Sequence, residues 1–229
     1  MIGFGEQRNL EITSLSDERL MLIDTMKAGF YDNVLGFKSE DDRIQKFVKD
    51  IRKAREIGVA PFYKLVIDPS LEGDNVVYKK GLKPAVGHSY NWWVEAAKDM
   101  TPVEDRKWQI CTEHQYMALL AFLINRAVET AWDIKVAIEA VVLDSRKLGH
   151  YRNSNRAKGA FELTGSREIF GIFDLGNTCK ILSCSNGDGF WVAGGNYNFY
   201  SFEYPLADLL HRKCVVIDYD SSVAELVLA

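Results

Sequence analysis

A chain of 229 residues, 47% hydrophobic and 26% charged, is ordinary globular material, long enough for one large domain or a domain with an appendage. Its formal charge of −4 argues against a general nucleic-acid binder, which needs a basic face. No apolar run reaches the length of a membrane span, and Glu6, Arg8 and Glu11 stand where a secretory signal needs an apolar segment.

The first 58 residues read as a helical unit of their own. Ser16 is positioned to cap a helix with Leu20, Ile23 and Met26 on one face. Ser39 is positioned to cap a second, whose first turn carries Glu40, Asp41 and Asp42, favourable against the helix dipole. Ile44, Phe47, Val48 and Ile51 keep helical spacing, and Gly58 supplies the stop. Such a pair either packs on the main domain or docks to a larger particle.

From Phe62 the pattern changes to strands. Phe62 to Ile67 is rich in β-forming residues, and Val76-Val77-Tyr78 follows a Gly/Asp/Asn loop. Two helices come next. Trp92, Trp93, Ala96, Ala97 and Met100 make one face of the first. The second runs from Glu113 to about Glu129, with Thr112 as its cap and Gln115 reaching back to the cap amide. It is apolar nearly all round, so burial is expected. Trp132 to Leu143 fits a helix or a strand pair, and Tyr151 to Lys158 reads as a polar, exposed loop. An apolar strand at Gly171-Ile172-Phe173 then runs into Asp174 and a Gly176-Asn177 turn. Another, Phe190 to Ala193, stops at Gly194-Gly195. Gly-Asn accepts positive φ at little cost, and a double glycine permits a bulge or close backbone approach.

Four stretches, in order, carry a family resemblance. Pro84-Ala85-Val86 leads through Ser89 into the Trp92-Trp93 helix, and Trp108 to Tyr116 opens the next one. Gly171 to Asn177 and Phe190 to Tyr197 close the series. They are similar to the formylglycine-generating-enzyme branch of the C-type lectin fold. That branch carries Arg-Leu-Pro-Thr-Glu-Ala-Glu-Trp at the helix start, then Phe-Gly-Leu-Tyr-Asp-Met-x-Gly-Asn and Gly-Gly-Ser-Trp. Cys111 in place of proline, and Thr178-Cys179 in place of Val-Trp, depart from it. The resemblance implies an α+β, C-type lectin-like domain over residues 59–229, with residues 1–58 as an N-terminal helical extension. Its architecture would be a small, twisted, mostly antiparallel sheet flanked by two helices. The branch holds both enzymes and binding proteins, so the fold leaves function open.

Enzymes of this branch oxidise a target cysteine with a pair of cysteines near the C-terminal end. This chain has only Cys214 there. Arg212 and Lys213 are positioned to stabilise its thiolate, while Val215-Val216-Ile217 is the setting of a buried structural cysteine. Cys111, Cys179, Cys184 and Cys214 lack metal-ligand spacing and read as buried free thiols. His88, His114, His150 and His211 are scattered, and the Glu-Pro-Asn and Trp-Asn-Asp tripeptides of calcium-dependent sugar binding are missing. No cofactor and no metal is expected.

The stretch after the double glycine, Asn196 to Tyr204, is dense in Tyr, Asn, Ser and Phe, the composition of antibody paratopes. It also fits a strand with alternate residues buried. In composition and position it resembles the variable proteins of diversity-generating retroelements, C-type lectin-fold binders whose mutable codons yield these residues. That resemblance implies a ligand-binding site at Asn186, Asp188, Asn196, Tyr197, Asn198, Phe199, Tyr200, Ser201 and Tyr204. The expected partner is a protein or glycan on a host or target cell surface, with no nucleic acid and no membrane insertion. The expected location is a virion or cell surface reached without a signal peptide, or otherwise the cytoplasm. The alternatives are a formylglycine-generating-type oxidoreductase and a virion structural protein.

Overall fold

The computed structural model describes residues 20–73, 75–100, 105–154, 162–196, 198–212 and 222–229. The expectations at Ser16, Tyr197 and Cys214, and at residues 155–158, lie outside them. The first elements in chain order are β1 (Leu20–Ile23), α1 (Asp32–Leu35), α2 (Asp42–Ile57), β2 (Phe62–Leu65), β3 (Ser70–Glu72) and β4 (Asn75–Val77). Then come α3 (Tyr90–Asp99), β5 (Trp108–Ile110), α4 (Glu113–Glu129), α5 (Ile134–Val142), β6 (Glu168–Ile169) and β7 (Ile172–Phe173). The last are β8 (Cys179–Ser183), β9 (Phe190–Ala193), β10 (Leu209–Arg212), β11 (Ser222–Ala224) and β12 (Leu226–Leu228).

Leu20 and Ile23 belong to a strand, not to the helix their spacing predicts. β1 pairs antiparallel with β2, Ile23 opposite Phe62, and both side chains are fully buried. Met26 lies beyond the strand and is 74% exposed. Four consecutive apolar residues satisfy either period over so short a window, and the tertiary partner decides. α2 forms as expected, but its cap is Asp41, whose carboxylate accepts from the amides of Arg43 and Ile44. Ser39 acts one step earlier, accepting from the Asp41 amide. Gly58 closes the helix in the left-handed conformation, its amide donating to the Ala54 and Arg55 carbonyls. Ile44, Phe47 and Ile51 share one apolar cluster with α4 and α5, so residues 20–58 and the later helices bury a common core.

α4 opens with the capping box read from Thr112 and Gln115: each side chain accepts from the other's backbone amide, at 3.2 and 3.0 Å. Most of its side chains are buried. α5 resolves the choice at Trp132 to Leu143 in favour of a helix, nucleated by Asp133 accepting from the Lys135 amide. In α3, Trp93, Ala96 and Ala97 face a second cluster that includes Ile67, Trp108, Ile181 and Leu226.

The described strands form two four-stranded sheets, ordered β1-β2-β12-β5 and β10-β9-β8-β11, plus the hairpins β3-β4 and β6-β7. Among the described residues, the strands pair antiparallel except β11 with β8. The protein is thus mixed α+β with small, mostly antiparallel sheets. A single residue, Glu225, carries the chain from β11 in one sheet to β12 in the other. Its amide donates to Ile181 and its carbonyl accepts from Cys111. Its buried carboxylate takes the Lys64 ammonium at 2.6 Å.

A second buried ion pair, Lys180 with Asp68, is joined by the Thr178 hydroxyl donating to Asp68 at 2.9 Å. Asp174, at positive φ in the turn after β7, accepts from the amides of Gly165 at 2.8 Å and Asp68 at 3.2 Å. Burial and the neighbouring Asp68 carboxylate push the Asp174 carboxyl up to about 7, against the pull of Lys180 and those two amides. Such networks hold together when every member is bonded.

Tyr151 overturns the expectation of an exposed loop at its position: it is 1% exposed. Three glycines close on its ring. A Cβ at Gly149, Gly176 or Gly195 would stand 2.7, 2.5 or 3.0 Å from it. The Gly-Asn turn and the double glycine therefore serve one contact, and the polar residues after Tyr151 conceal it in the sequence.

Candidate functional site

β9 ends at Ala193, and the chain folds sharply back. A Cβ at Gly195 would lie 2.7 Å from the Tyr204 carbonyl oxygen, so residues 195 and 204 close a loop base that only glycine permits. The described residues between, 196 and 198–203, include turns and no strand, against the alternating-strand reading.

Within this loop the candidate residues divide into anchors and displayed groups. Asn196 is 1% exposed; its Nδ2 donates to Cys179 Sγ at 3.6 Å and its Oδ1 accepts from the Asn198 backbone amide at 2.8 Å. Ser201 is fully buried. Its hydroxyl donates to Asp144 and accepts from Asn153 Nδ2 at 2.9 Å, and its amide donates to Asn153 Oδ1 at 3.1 Å. The assignment of Asn196 and Ser201 to the ligand-binding surface is therefore corrected: both spend their polar groups inside the protein, because the turns need them as internal partners. Asn198 is exposed, and Phe199, Tyr200 and Tyr204 are half-buried.

The displayed side is aromatic. Tyr200 and Phe202 stack with centroids 5.4 Å apart, and Phe199 leans on Tyr204 at 4.6 Å. Phe202 is 50% exposed. The Arg152 guanidinium lies 5.1 Å from the Tyr200 ring, and Arg43 of α2 donates to the Phe202 carbonyl at 3.2 Å. Large rings held with little freedom, beside planar cations, can bind an apolar or anionic partner at low entropy cost.

Asn186 and Asp188 do not join this group. They occupy the exposed tip of the β8–β9 hairpin, at the opposite end of β9, and Asn186 Oδ1 accepts from the Asp188 amide at 3.0 Å. The tip is pinned to the start of α4. The Ser185 amide and hydroxyl donate to Glu113 at 2.9 and 2.6 Å, with His114 Nε2 3.3 Å from that hydroxyl. Burial lowers the His114 pKa, favouring the neutral ring. Glu113 approaches the same Nε2, at 3.7 Å, rather than the other ring nitrogen, so it does not orient the ring as a base for Ser185.

Cys111 and Cys179 are buried free thiols, as their setting predicts, and Cys184 is buried as well. Burial pushes Cys179 up to about 11 and Cys111 well above its ordinary value, so both stay protonated at neutral pH. Among the described residues, no three His, Cys, Asp or Glu side chains gather as a metal site, and no helix is long and apolar enough to cross a membrane.

Sequence reasoning missed Phe202, Arg152, Arg43, Asp144 and Asn153. Phe202 stands in the same aromatic stretch and was as legible as Phe199. The other four approach the loop from 48 to 159 residues away in sequence, and no local pattern marks them. Comparison with protein-family models, curated proteins and solved structures gives no match for this chain.

Proposed function

We propose that this chain is a non-enzymatic ligand-binding protein of C-type lectin fold. It recognises a protein or glycan on a target cell surface through loop 196–204, in the manner of the variable proteins of diversity-generating retroelements. Strand order supports the fold: the first and last described strands, β1 and β12, flank β2 in one sheet, while β10, β9 and β8 run antiparallel in the other. One observation carries the site. Ser201 is buried and bonded from both sides, while its neighbours Tyr200 and Phe202 stand stacked at the surface. A rigid scaffold that displays a variable loop needs this separation of anchors from contact groups. Oxidoreductase chemistry has less support, since Cys111 and Cys179 are held as thiols.

The test is Phe202→Ala and Tyr200→Ala, each measured for thermal midpoint and for binding to intact candidate host cells. At least one is expected to keep its midpoint and lose about 2 kcal/mol or more of affinity. If every variant that binds less also melts earlier, the loop is packing and the reading fails. A reverse transcriptase gene beside a near-repeat of the C-terminal coding segment would support the variable-protein reading independently.

A further inference from the structure

α2 concentrates charge against the trend of the chain. It carries six lysines and arginines and three carboxylates, in a protein where acids outnumber bases 32 to 28. Lys46 pairs with Asp50, and Arg55 approaches Asp32 at 3.9 Å. Lys38, Lys49 and Arg52 are exposed, with no ion-pair partner among the described residues. These three cations rim a depression of about 260 Å³ between the Phe37–Ser39 segment and α2, with no carboxylate in its lining. Half-buried Phe37 and Val48 contribute an apolar floor.

We propose that this depression binds a sugar ring bearing a sulfate or phosphate ester. Arg52 offers a planar fork matched to two oxyanion oxygens, and Lys38 and Lys49 are mobile point charges able to close on the third. The floor takes the apolar face of the ring. The volume is below the roughly 300–1,000 Å³ of sites for drug-sized ligands, which suits a single ring group. Nucleic acid fits less well, because a long polyanion reaching beyond α2 meets a chain of net charge −4. This site is independent of loop 196–204, and its failure would leave the proposed function untouched.

The test is calorimetric titration of the full chain with glucose 6-sulfate, glucose 6-phosphate, glucose, inorganic sulfate and a single-stranded oligothymidylate. One or both sugar esters are expected to bind saturably, more tightly than inorganic sulfate, and more weakly as salt rises towards ~0.15 M. Glucose should not bind. Lys49→Gln/Arg52→Gln should weaken the ester about tenfold or more, with an unchanged thermal midpoint, since both residues are exposed. The proposal is overturned if neither ester binds, if the double variant binds equally, or if inorganic sulfate matches the ester. It also falls if the oligonucleotide competes for the same residues with higher affinity.

Discussion

Ser201→Ala tests whether the aromatic loop is held from within. The substitution removes one bond donated to Asp144 and one accepted from Asn153, and fills no new space. A neutral bond contributes about 1 kcal/mol and a bond to a carboxylate about 1.5–3 kcal/mol. Both partners reach solvent: the Asp144 side chain is 36% exposed and still accepts from the Arg146 amide at 3.1 Å, and Asn153 is half-buried. Water therefore recovers part of the loss, and the expected cost is about 1–2 kcal/mol. With a slope of about 2 kcal/mol per molar urea, the denaturation midpoint should fall by roughly 0.5–1 M at unchanged slope. Hydrogen exchange should quicken first at the residue 201 amide, whose acceptor Asn153 Oδ1 is no longer steadied by the bond from Asn153 Nδ2 to the hydroxyl. An unchanged midpoint with unchanged exchange at that amide would refute the anchoring argument.

Thr112→Ala should cost about 0.5–2 kcal/mol by urea denaturation, since it opens one half of the α4 capping box. Lys64→Met strands the Glu225 carboxylate in the core and should cost about 3–5 kcal/mol, whereas Lys64→Met/Glu225→Gln should recover most of that loss. Equal losses in the single and double variants would count against the pair. Asp174 has its folded pKa raised from 3.8 to about 7, so the folded state holds the extra proton. Its contribution is fully present below the unfolded value and is lost as pH rises from about 4 through about 7. The thermal midpoint should fall across that window in the wild type, and Asp174→Asn should flatten the dependence.

What the sequence made legible was local. Thr112 with Gln115, the stop at Gly58 and the apolar face of α3 depend on neighbours within a turn or two, and each appears where its pattern predicts. β1 was not legible, because its choice between strand and helix rests on β2, four decades of residues further along. Buried charge was equally hidden: Lys64 meets Glu225 across 161 residues and Lys180 meets Asp68 across 112. Within the candidate site the composition of residues 196–204 was readable, but which residues turn inward was not. Asn196 and Ser201 share the polarity of Asn198, and only distant partners distinguish them. The net charge likewise averaged away the basic face of α2.

The ring of Tyr151 is a common wall for three separate stretches of chain, at Gly149, Gly176 and Gly195. Changes at those four positions will not be independent: a side chain added at one glycine alters the room left at the other two, so their effects should combine non-additively. The outward members of the loop, Asn198, Tyr200 and Phe202, are not among the groups that a Cβ at these glycines would meet. Under the proposed function, what this loop displays can be rewritten at those outward positions while the tyrosine and its glycines stay locked, so that recognition would drift on a foundation that cannot.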